Sequence, residues 1–462
     1  MTKSMRPHEK SKATTITLVV IFLVAASFRL GWLAVNSHSV SFAGLAADNG
    51  DVARNIIVDN KWFVFNDASP RPRTSQLIDP ADLNYTNADR RPHFRQAIIE
   101  PPGLPLVLAG IWTVTGTERF IYLQALQLLI DSCMVFLIYW LAVKLFERRL
   151  IGLCAAGLYA LYIPAILIAR VPHEDAWAGW FTITAFAIVV KASDSSKPVR
   201  WLCALGVLLG IGAFFRPNVI LLPIGLALAL TPWSGWQRAL RFAVIPSVIA
   251  VILLVPWTVR NYNIFHTFVP VRTSFGWSMW GGLGELPNSF GDTGTDTNIV
   301  TTVLRVHPTY AIGSPEFDKV LEGKSFSTIE THPFFYLRLV GTRLLHSTVL
   351  PTPTKTAGSS KLASAAAWTV PLLFVFAAIS AILSFRLQPG RRWALALLAA
   401  IATTTVIPYL LIHLEARYLV ATAFVYLILT GVGVAMIVDW VNRHRSTFLE
   451  RRGIQLINET VN

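Results

Sequence analysis

Two acidic sets in the chain have the residue types and spacing for proton transfer. The first lies in Ala46-Ala47-Asp48-Asn49-Gly50-Asp51-Val52-Ala53-Arg54-Asn55-Ile56-Ile57. On a helix, Asp48, Asp51 and Asn55 share one face at i, i+3 and i+7, while Val52, Ala53, Ile56 and Ile57 share another. Such a helix presents two carboxylates above an apolar surface, where a carboxylate can take a proton from an attacking hydroxyl. The same residues also suit an ordinary helix start, with Asp48 as N-cap and Asp51 in the first turn. The second set is Pro172-His173-Glu174-Asp175, just before an apolar run that begins at Ala176. Proline and acids are ordinary there as well. His173 reads as a hydrogen-bonding group, since no His-x-x-x-His or His-Glu-x-x-His spacing supports zinc. The two acidic sets together have the oxygen ligands for a divalent cation, but no motif demands a cofactor.

Arginines recur at the ends of apolar runs, in Arg216-Pro217-Asn218, Arg260-Asn261 and Glu415-Ala416-Arg417, and Glu100 precedes Pro101-Pro102-Gly103. A guanidinium binds phosphate through paired N–H groups. An arginine that reaches out of the membrane to water is the plainer alternative. Trp257, Trp277 and Trp280 fit interface anchors or a stacking surface for a sugar. The stretch SFGWSMWGGLGELPNSFGDTG reads as a mobile loop, with a loop that orders over substrate as the alternative. It is not a P-loop, because no Gly-Lys-Ser/Thr follows.

The elements that must position these residues are membrane spans. Of 462 residues, 53% are hydrophobic and only 14% charged, against about 25% charged in soluble domains. That excludes a soluble enzyme, a disordered protein and a collagen-like chain. The net charge of +14 fits cytoplasmic loops rich in Lys and Arg rather than a nucleic-acid partner. Cys133, Cys154 and Cys203 all lie in apolar runs, so neither a disulfide framework nor a metal cluster is expected.

The fold class expected is an all-α polytopic membrane protein. Spans are expected at about 14–35, 120–144, 150–169, 176–190, 201–215, 218–231, 239–259, 363–385, 393–412 and 418–441. The first is too long for a signal-peptide core and reads as a retained span. Two further segments are expected to lie in or near the interface: 103–117, which is short, and 334–350, which carries Arg338, Arg343 and His346. With both termini inside, the short inner connections hold Lys144, Arg148 and Arg149; Lys191, Lys197 and Arg200; Arg238 and Arg241; and Arg386, Arg391 and Arg392, as the positive-inside rule requires. Residues 1–441 then form one membrane domain with outer loops at about 36–119 and 260–362, followed by a basic cytoplasmic tail at 442–462. Asp48, Asp51, Glu100, His173, Glu174, Asp175, Arg216, Asn218, Arg260, Asn261, Glu415 and Arg417 all then fall at the outer face. Acids and arginines gathered there point to a lipid-anchored anionic substrate.

The ordered set ADNGDVARNI (47–56), EPPGLPL (100–106), PHED (172–175), FRPN (215–218), PWTVRNYNIFHTFVPVRTSFGWSMWGG (256–282) and LEARYLVATAFVYL (414–427) resembles bacterial GT-C membrane glycosyltransferases. The likeness is to the protein O-mannosyltransferase and aminoarabinose transferase group, and it runs over nearly the whole chain. The resemblance implies transfer of a sugar from a polyprenyl-phosphate carrier to a glycan, lipid or protein acceptor at the extracytoplasmic face of a bacterial inner membrane. It implies Asp48 or Asp51 as base, Glu174 or Asp175 as second acidic site, and Arg260 and Arg417 on the lipid phosphate. Glu100, His173, Arg216, Asn218 and Asn261 complete the expected site. The Asp-Glu doublet of the mannosyltransferases is replaced here, which leaves both aspartates as candidates. A lipid-linked sugar transporter, or a polymerase or ligase using a lipid diphosphate, is the alternative.

Overall fold

The computed structural model describes residues 7–36, 45–59, 63–65, 94–96, 98–290, 296–348 and 361–451. Helix α1 (Pro7–Asn36) is followed by α2 (Leu45–Asp59), a short antiparallel ribbon of β1 (Phe63–Phe65) and β2 (Phe94–Gln96), and α3 (Gly103–Thr115). Then come α4 (Ile121–Phe146), α5 (Arg149–Ala160), α6 (Ile163–Ala169), α7 (Asp175–Ser193), α8 (Pro198–Ala213), a 3₁₀ turn at Pro217–Leu221, α9 (Leu222–Ser234) and α10 (Trp236–Phe265). Four helices follow in the second long connection: α11 (Phe275–Leu283), α12 (Asp296–Leu304), α13 (Pro315–Thr331) and α14 (Pro333–Thr348). The chain closes with α15 (Lys361–Leu387), α16 (Arg392–Leu411), the single turn α17 (Ala416–Leu419) and α18 (Ala423–Arg451).

Eight helices among the described residues are long and apolar enough to cross a membrane, and α5 with α6, apolar together and bent by 52° at their junction, make a ninth if the pair is one span. The remaining expected span forms as α8, apolar but only 16 residues long. The ten expected segments therefore all fold as helices, in the expected order. The last span is the central one, with 72% of its apolar window buried, while the α1 and α10 windows are only 17% and 22% buried and keep their apolar surface outward. Small residues bring spans close together, as is usual where lipid provides no hydrophobic drive. Gly206 and Gly210 of α8 lie against Ile249 and Leu253 of α10, and Gly431 of α18 lies against the Ile151 carbonyl of α5.

The spans are not uniformly apolar, contrary to the sequence reading. Arg29 of α1 and Asp131 of α4 are both buried and pair at 2.7 Å. The Tyr159 hydroxyl (2.6 Å) and the Trp180 indole N–H (2.9 Å) donate to the same carboxylate. Arg29 also donates to the carbonyls of Ala160 (2.7 Å) and Tyr159 (3.2 Å). These carbonyls end α5 at the break before α6, where Tyr159 O keeps only a short turn bond from Tyr162 N–H at 3.1 Å and Ala160 O faces Pro164 in place of an N–H. Pro164 in the first turn of α6 contributes to that break, since it has no N–H to donate.

The second long connection is a packed helical layer, not the mobile loop that its glycines indicated. Trp280, Leu283, Ile299, Val303, Phe317, Leu321 and Leu339 form its core. The Asp318 carboxylate accepts from the backbone N–H groups of Gly276 (3.1 Å) and Trp277 (2.9 Å), capping α11 from α13. Gly276 is required because a Cβ there would run into the Asp318 carbonyl. Gly276→Ala is expected to pry α11 from α13 at a cost of about 1–3 kcal/mol. Faster protease cleavage within 270–331, with the spans intact, would register it. On α14, Phe334, Leu337, Leu344 and Leu345 stay exposed while Leu339 and Arg343 are buried, the two-faced pattern expected of an interfacial helix. Helix α3 buries Leu104, Leu108 and Trp112 against Ala53 of α2.

At one end of the bundle, exposed ion pairs join neighbouring helix ends: Lys144 with Asp194, Arg148 with Asp439, and Arg391 with Glu147. All three use residues of the basic connections.

Candidate active site

At the opposite end, charged side chains from widely separated segments form one continuous set. Asp175 opens α7 and Glu174 precedes it, both buried. Arg216 lies in the turn between α8 and the 3₁₀ turn, also buried, and pairs with Asp175, with Glu174 3.7 Å away. Arg272 lies 3.8 Å from Glu174 on a second side. Arg417 approaches Asp175 at 3.4 Å through Nε and Glu415 at 2.9 Å. The His173 Nδ1 atom lies 3.0 Å from Asp175 and 3.3 Å from Glu174. His413 bridges Glu415 (3.0 Å) and Glu285 (2.6 Å), and Arg343 completes the set on Glu285 at 2.9 Å. Four carboxylates thus face four guanidiniums, and the two imidazoles decide the net charge.

The electrostatics follow from this pairing. Burial alone would push the pKa of His173 down, but the Glu174 and Asp175 carboxylates outweigh it and raise the value above that of an ordinary histidine. Burial would raise Glu174, yet His173, Arg216 and Arg272 hold it below the usual carboxylate range. The Tyr418 ring lies under two guanidiniums, with Arg216 at 4.8 Å and Arg417 at 5.3 Å, and stacks on Tyr409 at 4.5 Å. Buried groups left without a hydrogen-bond partner collect here too: His173 Nε2, Glu174 Oε2 and Arg216 Nε.

Local folding explains how each member arrives. The α10 C-terminus grips the returning chain: Trp257 donates to Val271 O (2.8 Å), Thr258 to Pro270 O (3.0 Å) and Asn261 to Val269 O (2.9 Å). This clamp delivers Arg272. Arg260 lies outside the ion set, over the Trp257 ring at 4.7 Å and donating to Asn261 at 2.9 Å. Asn218 donates to Tyr409 (3.0 Å) and so supports the aromatic pair. Two backbone bonds, Thr273 N–H to Ile98 O (3.0 Å) and Gly103 N–H to Phe214 O (2.7 Å), stretch the segment carrying buried Glu100 between Arg272 and Arg216. A Cβ at Gly103 would strike Phe214 and Phe215, so the approach needs glycine.

Helix α2 packs beside this region through Ala53 and Phe215. Asp51 sits on it with Arg54 at 4.0 Å, and Arg54 also pairs with Glu118 at 2.7 Å. Asp48 belongs to the same helix, but its side chain lies outside the described residues. The structure therefore brings together His173, Glu174, Asp175, Arg216 and Arg417, with Glu100, Asn218 and Asn261 in supporting positions. Sequence reading missed Arg272, Glu285 and His413 as members; only the Arg-Thr of VPVRTSFGW, inside a quoted motif, held a signal. Among the described residues no group of three or more His, Cys, Asp or Glu is arranged to hold a metal ion.

Comparison with known proteins places this geometry. No family profile matches the chain, and no curated protein sequence matches it. The apo oligosaccharyltransferase of Archaeoglobus fulgidus matches with a TM-score of 0.57 at 14% identity, over 95% of this chain and 52% of that one. The same enzyme with an inhibitory peptide and a dolichol-phosphate gives 0.57 at 12%, over 98% and 53%. The chain shares its fold with these solved structures. It spans about half the length of the oligosaccharyltransferases that it matches. ArnT from Cupriavidus metallidurans, solved with undecaprenyl phosphate, aligns over 93% of this chain and 77% of that one, at 13% identity with a TM-score of 0.36. Within this fold, the ion set occupies one end of the span bundle and the basic connections occupy the other.

Proposed function

We propose that this chain is a glycosyltransferase that moves a sugar from a polyprenyl-phosphate donor to an acceptor hydroxyl or amine at the extracytoplasmic face of the inner membrane. The observation that carries it is the ion set at one end of a GT-C fold, where three buried residues, Glu174, Asp175 and Arg216, meet the partly open Arg272 and Arg417. The solved oligosaccharyltransferase complex with dolichol-phosphate supports a lipid-phosphate ligand for such a fold.

The arginines divide by burial. Arg216, with a side chain only 7% exposed, pairs with Asp175, lies 3.7 Å from Glu174 and fixes their orientation. Arg272 and Arg417, at 20% and 27%, keep N–H groups within reach of a phosphate, and Arg260 adds a third guanidinium beside the clamp. Their positive charge stabilises the phosphate as its bond to the anomeric carbon breaks. Asp48 or Asp51 accepts the proton of the attacking hydroxyl or amine. Glu174 and Asp175, with His173, orient the acceptor. Direct displacement inverts the anomeric centre. A divalent cation is an optional partner: carboxylates already facing guanidiniums offer it little uncompensated charge.

A reconstituted assay with a polyprenyl-phosphate sugar tests the reading, with the anomer of the product read by NMR. Retention of configuration, or transfer only from a lipid diphosphate, would exclude it. Orientation has its own test. Val306→Cys and Arg200→Cys, both at exposed positions, should label with an impermeant maleimide only from outside and only from inside, respectively. The reverse pattern would place the site in the cytoplasm.

A further inference from the structure

His413 lies between two carboxylates that belong to different parts of the fold. Its Nδ1 is 2.6 Å from Glu285 Oε1, just after α11, and its Nε2 is 3.0 Å from Glu415 Oε1, just before α17. Ionised carboxylates only accept, so both ring nitrogens must donate, which requires the imidazolium. On one side, Glu285 accepts from Arg343 (2.9 Å) and from Leu414 N–H (3.0 Å), and Arg343 also donates to Gly282 O and Leu410 O, both at 2.9 Å. That ties the helical layer to the end of α16. On the other side, Glu415 accepts from one N–H of Arg417 at 3.0 Å and lies 2.9 Å from its Nε as an ion pair, and Arg417 reaches Asp175 at 3.4 Å.

We propose that His413 is a positioning residue which, by clasping Glu285 and Glu415, joins the α11–α14 layer to the 413–417 turn and sets the Arg417 guanidinium against Asp175. Its effect on donor binding rests on the glycosyltransferase reading; the clasp itself does not. The groups facing His413 are Glu285 and Glu415 directly, Arg343 and Arg417 one contact further, the Tyr418 ring at 6.2 Å, and Tyr336, whose hydroxyl donates to Leu411 O. Burial alone would lower the His413 pKa, but the hydrogen bonds to both acids raise it above the ordinary value. The same contacts hold Glu285 and Glu415 below the usual carboxylate range. A raised imidazole pKa means that the clasp is complete below the ordinary histidine value and is lost as pH rises through the raised one.

Hydrogen exchange of the full-length protein in nanodiscs, corrected for intrinsic rates, tests the clasp. Peptides covering 282–290 and 411–420 should be at least about tenfold more protected at pH 6 than at pH 9 in the wild type. In His413→Gln protection should be low at both pH values, and in His413→Lys, which keeps a charged donor, it should be partly recovered at both. Equal protection in wild type and His413→Gln at both pH values would overturn the proposal. Should the Gln variant lose protection in α18 as well, the comparison moves to the Lys variant, and a wild-type pH response there overturns it equally. In the transfer assay, His413→Gln should raise the donor KM about tenfold with kcat and acceptor KM nearly unchanged, and the alkaline fall in donor kcat/KM should be smaller. A fall in kcat with donor KM unmoved would contradict the positioning role. If the wild type transfers nothing, the functional reading fails while the exchange result still decides the clasp.

Discussion

If Asp48 or Asp51 is the base proposed above, its replacement by Asn lowers sugar transfer by about 10²–10⁴-fold, the range that a positioned general base supplies. The other aspartate, when replaced, leaves a smaller defect. Asp51 has Arg54 at 4.0 Å, itself held by Glu118 at 2.7 Å, whereas the Asp48 side chain lies outside the described residues. Donor binding is the control. Because α2 packs on α3 through Ala53, Asp→Asn at either position should leave the donor KM within a few fold. Wild-type rates in both variants would remove the base from this helix. A base defect also predicts that activity rises with pH up to the carboxylate pKa and that the Asn variant loses this rise.

The second large effect concerns stability. Asp131→Leu leaves the Arg29 guanidinium buried in the span bundle with only carbonyl partners. Removing one member of a buried ion pair costs about 3–5 kcal/mol. The double change Arg29→Met with Asp131→Leu should recover most of that, because both desolvated charges are gone and side-chain volume is roughly kept. Thermal unfolding of the purified protein measures both. If the single and double variants unfold at the same temperature, the pair is not the source of the stability. Transfer activity in the double variant then separates a purely structural pair from one that also sets the α5–α6 bend.

How far the sequence carried depends on which physical signal was present. Length and apolarity mark spans, so α4, α10 and α16 were readable directly, whereas α8 was readable only as apolar, its 16 residues falling below the usual crossing length. His173, Glu174, Asp175, Arg216 and Arg417 were found because acids and arginines at the ends of apolar runs are costly and therefore conspicuous. Glu285 and His413 were not, since each sits in a polar connection where a charged residue has no cost to advertise it. Arg29 and Asp131 show the opposite limit. Each is a single charge inside a long apolar run, 102 positions apart, and periodicity along one helix cannot reveal a partner on another. The glycines of 276–284 misled for a related reason. Glycine signals both a loop and a close approach, and only the Asp318 backbone beside Gly276 decides between them.

The Arg29 contacts also constrain how the chain is assembled during synthesis. Helix α1 precedes α4 and α5 in the chain, yet buried Arg29 finds its partners on α4 and at the end of α5, more than a hundred residues later. Until those segments arrive, the guanidinium has only water, lipid headgroups or the insertion machinery to satisfy it. The burial of Arg29 is thus completed only once Asp131 and the open end of α5 are in place.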